Sequence, residues 1–450
     1  MLKYKTTKEP EITLKAISLK DQLNNGKHAC GEYFTKGKMI YWPLKAHADI
    51  IKVNRRLLHF FHQQKQAISV DINSFLKLLD TKDALACLNG FLSADICFNH
   101  PYTLKTKKPT RIEHNFIVDA DKYASALKVA EVLNEAEIFA TELMAMPSNY
   151  LDADRFEQIL LNKFKTLKGK VNINVLHKAD LQNKKMGLIL AVGQASNKAN
   201  EPRIITAEYH SAHTKAKKLA LIGKGIMFDT GGLNLKPGDH MKEMHMDMSG
   251  AAITFATIYA LAKLEIPANV VGVGAIASND IGNDAFRVND VITSYSGKTV
   301  EILNTDAEGR LILADAITFA HQDLKADTIM TIATLTGAID VALGNVYSGI
   351  WMSNNAQRSW ISNAAQAAGE PIWQMPFHFE YLWNIEKTPI ADIKNIGNRS
   401  AGSCTAAEFL KYFAPNANFI HADIASTNVF KDHPRAVLLR TMYFLAKDFK

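Results

Sequence analysis

Cysteine is scarce in this chain. Only four occur in 450 residues, Cys30, Cys87, Cys97 and Cys404, and no two form a C-x-x-C pair. That excludes a disulfide framework and argues against a thiolate zinc site, and it fits a reducing compartment. Long apolar runs are absent too. No stretch approaches the roughly 18 uninterrupted apolar residues of a membrane span. The opening MLKYKTTKEPEITLK has no apolar core of the kind a secretory signal needs. With no targeting signal in view, the expected location is the cytoplasm. Internal repeats and low-complexity segments are also missing.

What is present is ordinary for a folded enzyme-sized chain: 47% hydrophobic and 22% charged residues, with a length that suggests about two to three domains. The net charge of +7 is mildly basic. It leaves room for a nucleic-acid partner, but the lysines spread along the whole chain, which favours a solvated surface.

Residues 1–121 mix short strands (ITLKAIS, KMIYW) with helical patterns (ADIIKVNRRLLHFFHQQ, VDINSFLKLL) and read as a smaller N-terminal α/β domain. The basic TLKTKKPTRIEHN at 103–115 reads as an exposed loop. Residues 122–146 have apolar positions at threes and fours with no Gly or Pro, which predicts a linker helix. From 147 to 450 the texture changes. VNINVL, LILAV, RIITAEY, KLALIG, NVVGVGAIA, TVEIL, DTIMTIATL and SGIWMS read as strands, several apolar on both faces. Helical patterns at 248–264 and 309–323 separate them. This is the α/β rhythm of a mixed central β-sheet flanked by helices, and sites in such sheets form at the carboxyl ends of strands.

Charge concentrates in three such loops. After KLALIG, the run KGIMFDTGGLNLKPGDH carries Lys224, Asp229, Lys236 and Asp239. Its glycines fit neither phosphate-loop spacing. MKEMHMDMSGAA places Asp247 ahead of an apolar helix, where a capping aspartate would by itself explain it. ILNTDAEGRLILADAI sets Asp306, Glu308 and Arg310 at alternate positions between two apolar runs, and a cap would account for Asp306 alone. If the loops share one end of one sheet, however, four carboxylates converge. Such a cluster needs counter-charge, and one or two divalent cations of the Mg, Mn or Zn type would supply it. An extended backbone at 306–308 would aim both acids the same way. Of the two lysines, one could lose its proton and ligate a metal while the other faces substrate. Spacing does not say which.

NTDAEGR at 304–310 resembles the signature of the leucyl aminopeptidase (cytosol aminopeptidase) family. GKGIMFDTGGLNLKP, MHMDMSGAA and TIATLTGAIDVALG are similar to its neighbouring motifs in order and spacing, over roughly residues 140–430. The resemblance implies an aminopeptidase that releases N-terminal residues from peptides with two divalent metals, Zn or Mn, with Mg a third candidate. Asp229 and Glu308 would bridge the metals. Lys224 and Asp247 would complete one shell and Asp306 the other. Lys236 would polarise the scissile carbonyl, and Arg310 would hold bicarbonate as general base. Met244, Thr334, Leu335, Gly337 and Ala425 would form the first-residue pocket, with a Leu-like preference. The family also implies a homohexamer.

The rivals are another two-metal hydrolase, such as a phosphoesterase, and a DNA-binding role. The chain departs from the family pattern at Ser249, a habitual glycine, and at Ser426, and then reads Thr427 and Asn428. These departures bear on the pocket and not on the metal set. His421 and Asp423 are expected to be a buried, hydrogen-bonded pair near it.

Overall fold

Residues 12–18, 32–80, 83–98, 102–107, 112–211 and 217–449 are described in this computed structural model; Cys30 lies outside them. The chain divides into two units, Met1–Ile138 with Asn363–Pro371, and Phe139–Ser362 with Ile372–Lys450. It first passes from one to the other inside the helix Ala124–Ala145.

The first unit holds a five-stranded sheet in the order β2-β3-β1-β4-β5. Its strands are β1 (Thr13–Ser18), β2 (Phe34–Lys36), β3 (Met39–Leu44), β4 (Ser69–Asp71) and β5 (Asn115–Ile117). The helix Ile50–Gln63 starts where the Asp49 side chain accepts from Ile51 N–H, the usual N-cap device. Its buried face, with Leu57, Phe60 and Phe61, joins an aromatic core containing Trp42, Phe75 and Phe91. The loop expected at 103–115 is exposed at 104–107, but His114 and Asn115 are buried. Asn115 opens a strand, so β pairing overrides the polar composition there.

The second unit is built on an eight-stranded mixed sheet in the order β14-β13-β16-β12-β8-β9-β7-β6. Its strands are β6 (Val171–Leu176), β7 (Arg203–His210), β8 (Leu219–Asp229), β9 (Asn269–Asn279), β12 (Thr328–Ala333), β13 (Ser348–Met352), β14 (Ile372–Gln374) and β16 (Asn418–Asp423). β9, β8, β12 and β16 run parallel at its centre. A small sheet pairs β10 (Val291–Thr293), β11 (Thr299–Glu301) and β15 (Ile393–Lys394). A short hairpin joins β17 (Val429–Phe430) to β18 (His433–Pro434).

Both faces of β8 are covered, which is why it reads as a continuous apolar run. Ala220 and Ile222 share a core cluster with Leu311, Ile312 and Leu313 of the helix Gly309–Gln322. On the other face, Gly223 meets the helix Ser249–Lys263. A Cβ at Gly223 would lie 2.3 Å from the Gly250 carbonyl oxygen, and one at Gly250 would lie 2.2 Å from that of Ile332. These two glycines let the helix N-terminus lie directly on the sheet.

Two expected strands are placed differently. LILAV is a helix, Gly187–Val192, because Asp315 accepts the N–H groups of Leu188 and Ile189 at 2.9 and 3.1 Å and so satisfies its N-terminus. A short buried apolar run is ambiguous between strand and helix, and here the tertiary partner decides. TVEIL supplies β11 of the small sheet and not a strand of the central one. β16 was not anticipated.

Asp315 is fully buried and also accepts the Tyr295 N–H at 2.8 Å. Asp315→Ala strands three backbone donors, and we expect a loss on the order of 3 kcal/mol in urea unfolding. An unchanged midpoint would contradict this account of the Gly187–Val192 helix.

Candidate metal centre and substrate cavity

The four parallel strands end side by side. β8 ends at Asp229 and β9 at Asn279; β12 is followed by Thr334, and β16 ends at Asp423. Chemistry gathers at these ends. Lys224 points from β8 toward the helix Gly309–Gln322. Its Nζ lies 2.7 Å from Asp247 Oδ2 and 2.8 Å from Glu308 Oε1, and it donates to the Thr334 carbonyl at 3.0 Å. Lys236 Nζ lies 2.8 Å from Asp229 Oδ2 and 2.6 Å from Asp306 Oδ1. Asp229, Asp306 and Glu308 each bring a carboxylate oxygen within 4.8 Å of the others.

Neither loop aspartate is a helix cap. Met248 and Glu308 occupy the N-cap positions, and neither makes a side-chain capping bond. Asp247 instead accepts from Thr334 Oγ1 at 2.6 Å and pairs with Lys224. The segment at 305–308 is a turn and not extended: Glu308 has helical backbone angles, and Ala307 N–H donates to Asn304 O. Asp306 and Glu308 converge through that turn, not through strand alternation.

Burial pushes the carboxyls of Asp247, Asp306 and Glu308 above their usual range, and the charge of Asp229 pushes in the same direction. Burial works against both ammonium groups, yet the carboxylates around them outweigh it and hold Lys224 and Lys236 above the normal lysine range. With all four acids ionised, the two ammonium groups leave a surplus of two negative charges. An oxygen-rich donor set with that surplus fits divalent cations, and no cysteine takes part.

The cluster opens into a cavity of about 600 Å³, which Met244, Thr334, Leu335, Gly337 and Ala425 line together with the charged residues. Arg310 is not on that wall. It is 7% exposed, and its Nη1 donates to the Asn395 carbonyl at 2.7 Å. Burial lowers its pKa to about 10. Its Nε has no partner among the described residues, so a buried donor remains for an anion. His421 and Asp423 are both buried but do not bond to each other. His421 bonds Thr331 Oγ1 at 2.8 Å, whereas Asp423 accepts from Leu335 N, Thr336 Oγ1 and Ala425 N.

Residues 138–442 match the cytosol aminopeptidase family, catalytic domain. The probable cytosol aminopeptidase of Mycoplasma pneumoniae is 40% identical over 435 residues, 95% of this chain and 96% of that protein. The one from Mycoplasma genitalium is 39% identical, covering 88% and 89%. The chain belongs to the cytosol aminopeptidase family. It is therefore an aminopeptidase of the metal-dependent exopeptidase type, a hydrolase. The fold agrees: leucyl aminopeptidase from Leishmania major, solved with actinonin, superposes with a TM-score of 0.85 at 22% identity, covering 98% of this chain and 92% of that one. The enzyme from Trypanosoma cruzi gives 0.83 at 23%, covering 98% and 94%. Among the described residues no helix is long and apolar enough to cross a membrane.

Several residues that shape the site were not singled out from the sequence; Asn279 and Asn395 lie outside every motif, and Thr305 sits unremarked inside NTDAEGR. Asn279 donates to Asp229 Oδ1 at 2.8 Å and to the Thr305 carbonyl at 3.1 Å. Thr305 Oγ1 donates to Gly231 O at 2.7 Å. Asn395 holds the N–H groups of Leu303 and Asn304 and donates back to Asn304 O at 2.6 Å. An asparagine at a strand end, opposite a polar loop, is the only sequence cue, and it is a weak one.

Gly309 is a close fit against the cluster. A Cβ there would lie 2.5 Å from Lys224 Cε, and Lys224 is pinned by three partners. Alanine is otherwise favourable in a helix. The clash offsets that gain, so Gly309→Ala should lower thermal stability modestly and cut peptidase turnover by roughly 100-fold. Unchanged turnover would mean that the position of Lys224 does not matter.

Proposed function

We propose that this protein removes N-terminal residues, Leu-like ones preferred, from peptides by two-metal hydrolysis at the cavity beside Lys224 and Lys236. The observation that carries the reading is the meeting of four carboxylates and two lysines at the carboxyl ends of parallel strands, on the wall of one cavity.

In this reading Asp229, Asp247, Asp306 and Glu308 would hold the two cations, Asp229 and Glu308 serving both, and Lys224 would join them as a neutral amine. The pairing of Lys224 with Asp247 and Glu308 supports its role on the metal side. When bound, two Zn or Mn ions would bring the pKa of a shared water toward neutrality, and bicarbonate held by Arg310 would carry its proton. Lys236 is the more open lysine, with its side chain 13% exposed against 4% for Lys224. It can release its carboxylates to face a scissile carbonyl and hold the oxyanion. The unpartnered Nε of Arg310 supports anion holding. A peptide enters with its free α-amine at the cluster and its first side chain among Met244, Leu335, Gly337 and Ala425. Such small and apolar walls discriminate by size only modestly. We propose a homohexamer from the family resemblance, and the names of the cytosol aminopeptidase relatives support the expected cytoplasmic location.

Glu308→Ala should lose bound metal by elemental analysis and reduce Leu-p-nitroanilide hydrolysis to background. Two metals retained with full activity would refute the bridging role. Lys236→Ala should keep its metal while kcat falls about 100- to 1000-fold; loss of metal instead would exchange the roles of the lysines. Hydrolysis of p-nitrophenyl phosphate but not of the anilide would overturn the substrate class.

A further inference from the structure

Two departures from the family pattern, Ser249 and Asn428, are joined beside the cavity by one hydrogen bond. Ser249 is fully buried, and its hydroxyl serves two stretches of the cavity wall. It donates to the carbonyl of Met246, a wall residue, and it accepts from Asn428 Nδ2 at 3.1 Å. Asn428 is itself a wall residue and only 5% exposed. A hydroxyl has one proton to give, so Ser249 spends it on Met246 and meets Asn428 as acceptor. Glycine at this position would leave the buried Asn428 amide without that partner.

The stretch that carries Asn428 is wound tightly. Thr427 and Asn428 both donate backbone N–H to Ile424 O, and Ser426 sits at φ +67°. Thr427 Oγ1 lies 2.9 Å from Ser348 Oγ. The Asn428 carbonyl accepts from Arg435 N at 2.7 Å at the base of the β17–β18 hairpin. Backbone contacts therefore fix where residue 428 stands, and Ser249 fixes which way its amide points.

We propose that Ser249 and Asn428 act as a specificity-determining pair. Ser249 is a positioning residue that locks Asn428 and the Ala425–Val429 wall, and so sets the size of the first-residue pocket. The proposal rests on the reading of this cavity as the pocket for the first side chain.

The test is a double-mutant cycle of Ser249→Ala, Asn428→Ala and the pair in the metal-loaded enzyme. It reads kcat and KM for Leu- and Phe-p-nitroanilide, metal content, and calorimetric binding of free L-leucine and L-phenylalanine. Each single variant should raise KM for the Leu substrate roughly tenfold and flatten the Leu-to-Phe preference by a similar factor. Metal content should hold and kcat should stay within about twofold. The double variant should match Asn428→Ala alone, because the partners act as a unit. A preference unmoved in both singles, effects that multiply in the double, or lost metal would overturn the proposal. Amino-acid binding separates the two readings: wild type that binds leucine but cleaves no anilide would sink the catalytic reading, while the cycle in leucine affinity would still decide on the pair.

Discussion

The organising constraint in this molecule is a charge imbalance that the fold cannot relieve by itself. Asp229, Asp247, Asp306 and Glu308 share one cavity wall with two lysines, and all but Asp306 are at most 5% exposed. Lys224 is held between Asp247 and Glu308, Lys236 between Asp229 and Asp306. Each ammonium group serves two carboxylates, so two negative charges remain uncompensated whenever all four acids are ionised. Burying such a surplus is costly unless cations neutralise it, and the family is metal-dependent.

The rest of the second unit serves to hold that arrangement. The parallel core strands end together, so Asp229, Asn279, Thr334 and Asp423 arrive at one edge. Gly223 and Gly250 bring the helix after Asp247 flat against the sheet, and Gly309 leaves room for the Lys224 stem. Asn279, Thr305 and Asn395 then lock the turns that carry the acids. Asp423 takes donors from both Leu335 and Ala425, so it ties together two stretches of the substrate cavity. The acids, the glycines and the asparagines are separate solutions to one packing problem.

Much of this was legible in the amino-acid sequence. The loops after KLALIG and before the apolar helix at 249, with NTDAEGR, marked every acid and both lysines, because no bland explanation covered all three together. The long helices were legible from their period. Less visible were features decided by partners far away in sequence. Asp315 turns LILAV into a helix, and TVEIL pairs in a small sheet because β15 lies beside it. The acids at 306 and 308 converge through a turn and not through alternation, since Glu308 already has helical backbone angles. The supporting asparagines were invisible because a single polar residue at a strand end has no periodic or motif signature.

The central claim is that the cluster is a two-cation site. Crystals grown with Mn(II) and measured for anomalous scattering test it most directly. The account predicts two peaks about 3.5–4 Å apart, enclosed by Asp229, Asp247, Asp306 and Glu308, with Lys224 Nζ in contact with one of them. No peak within this ring of carboxylates, or a single peak flanked by both lysines still paired to their acids, would contradict it.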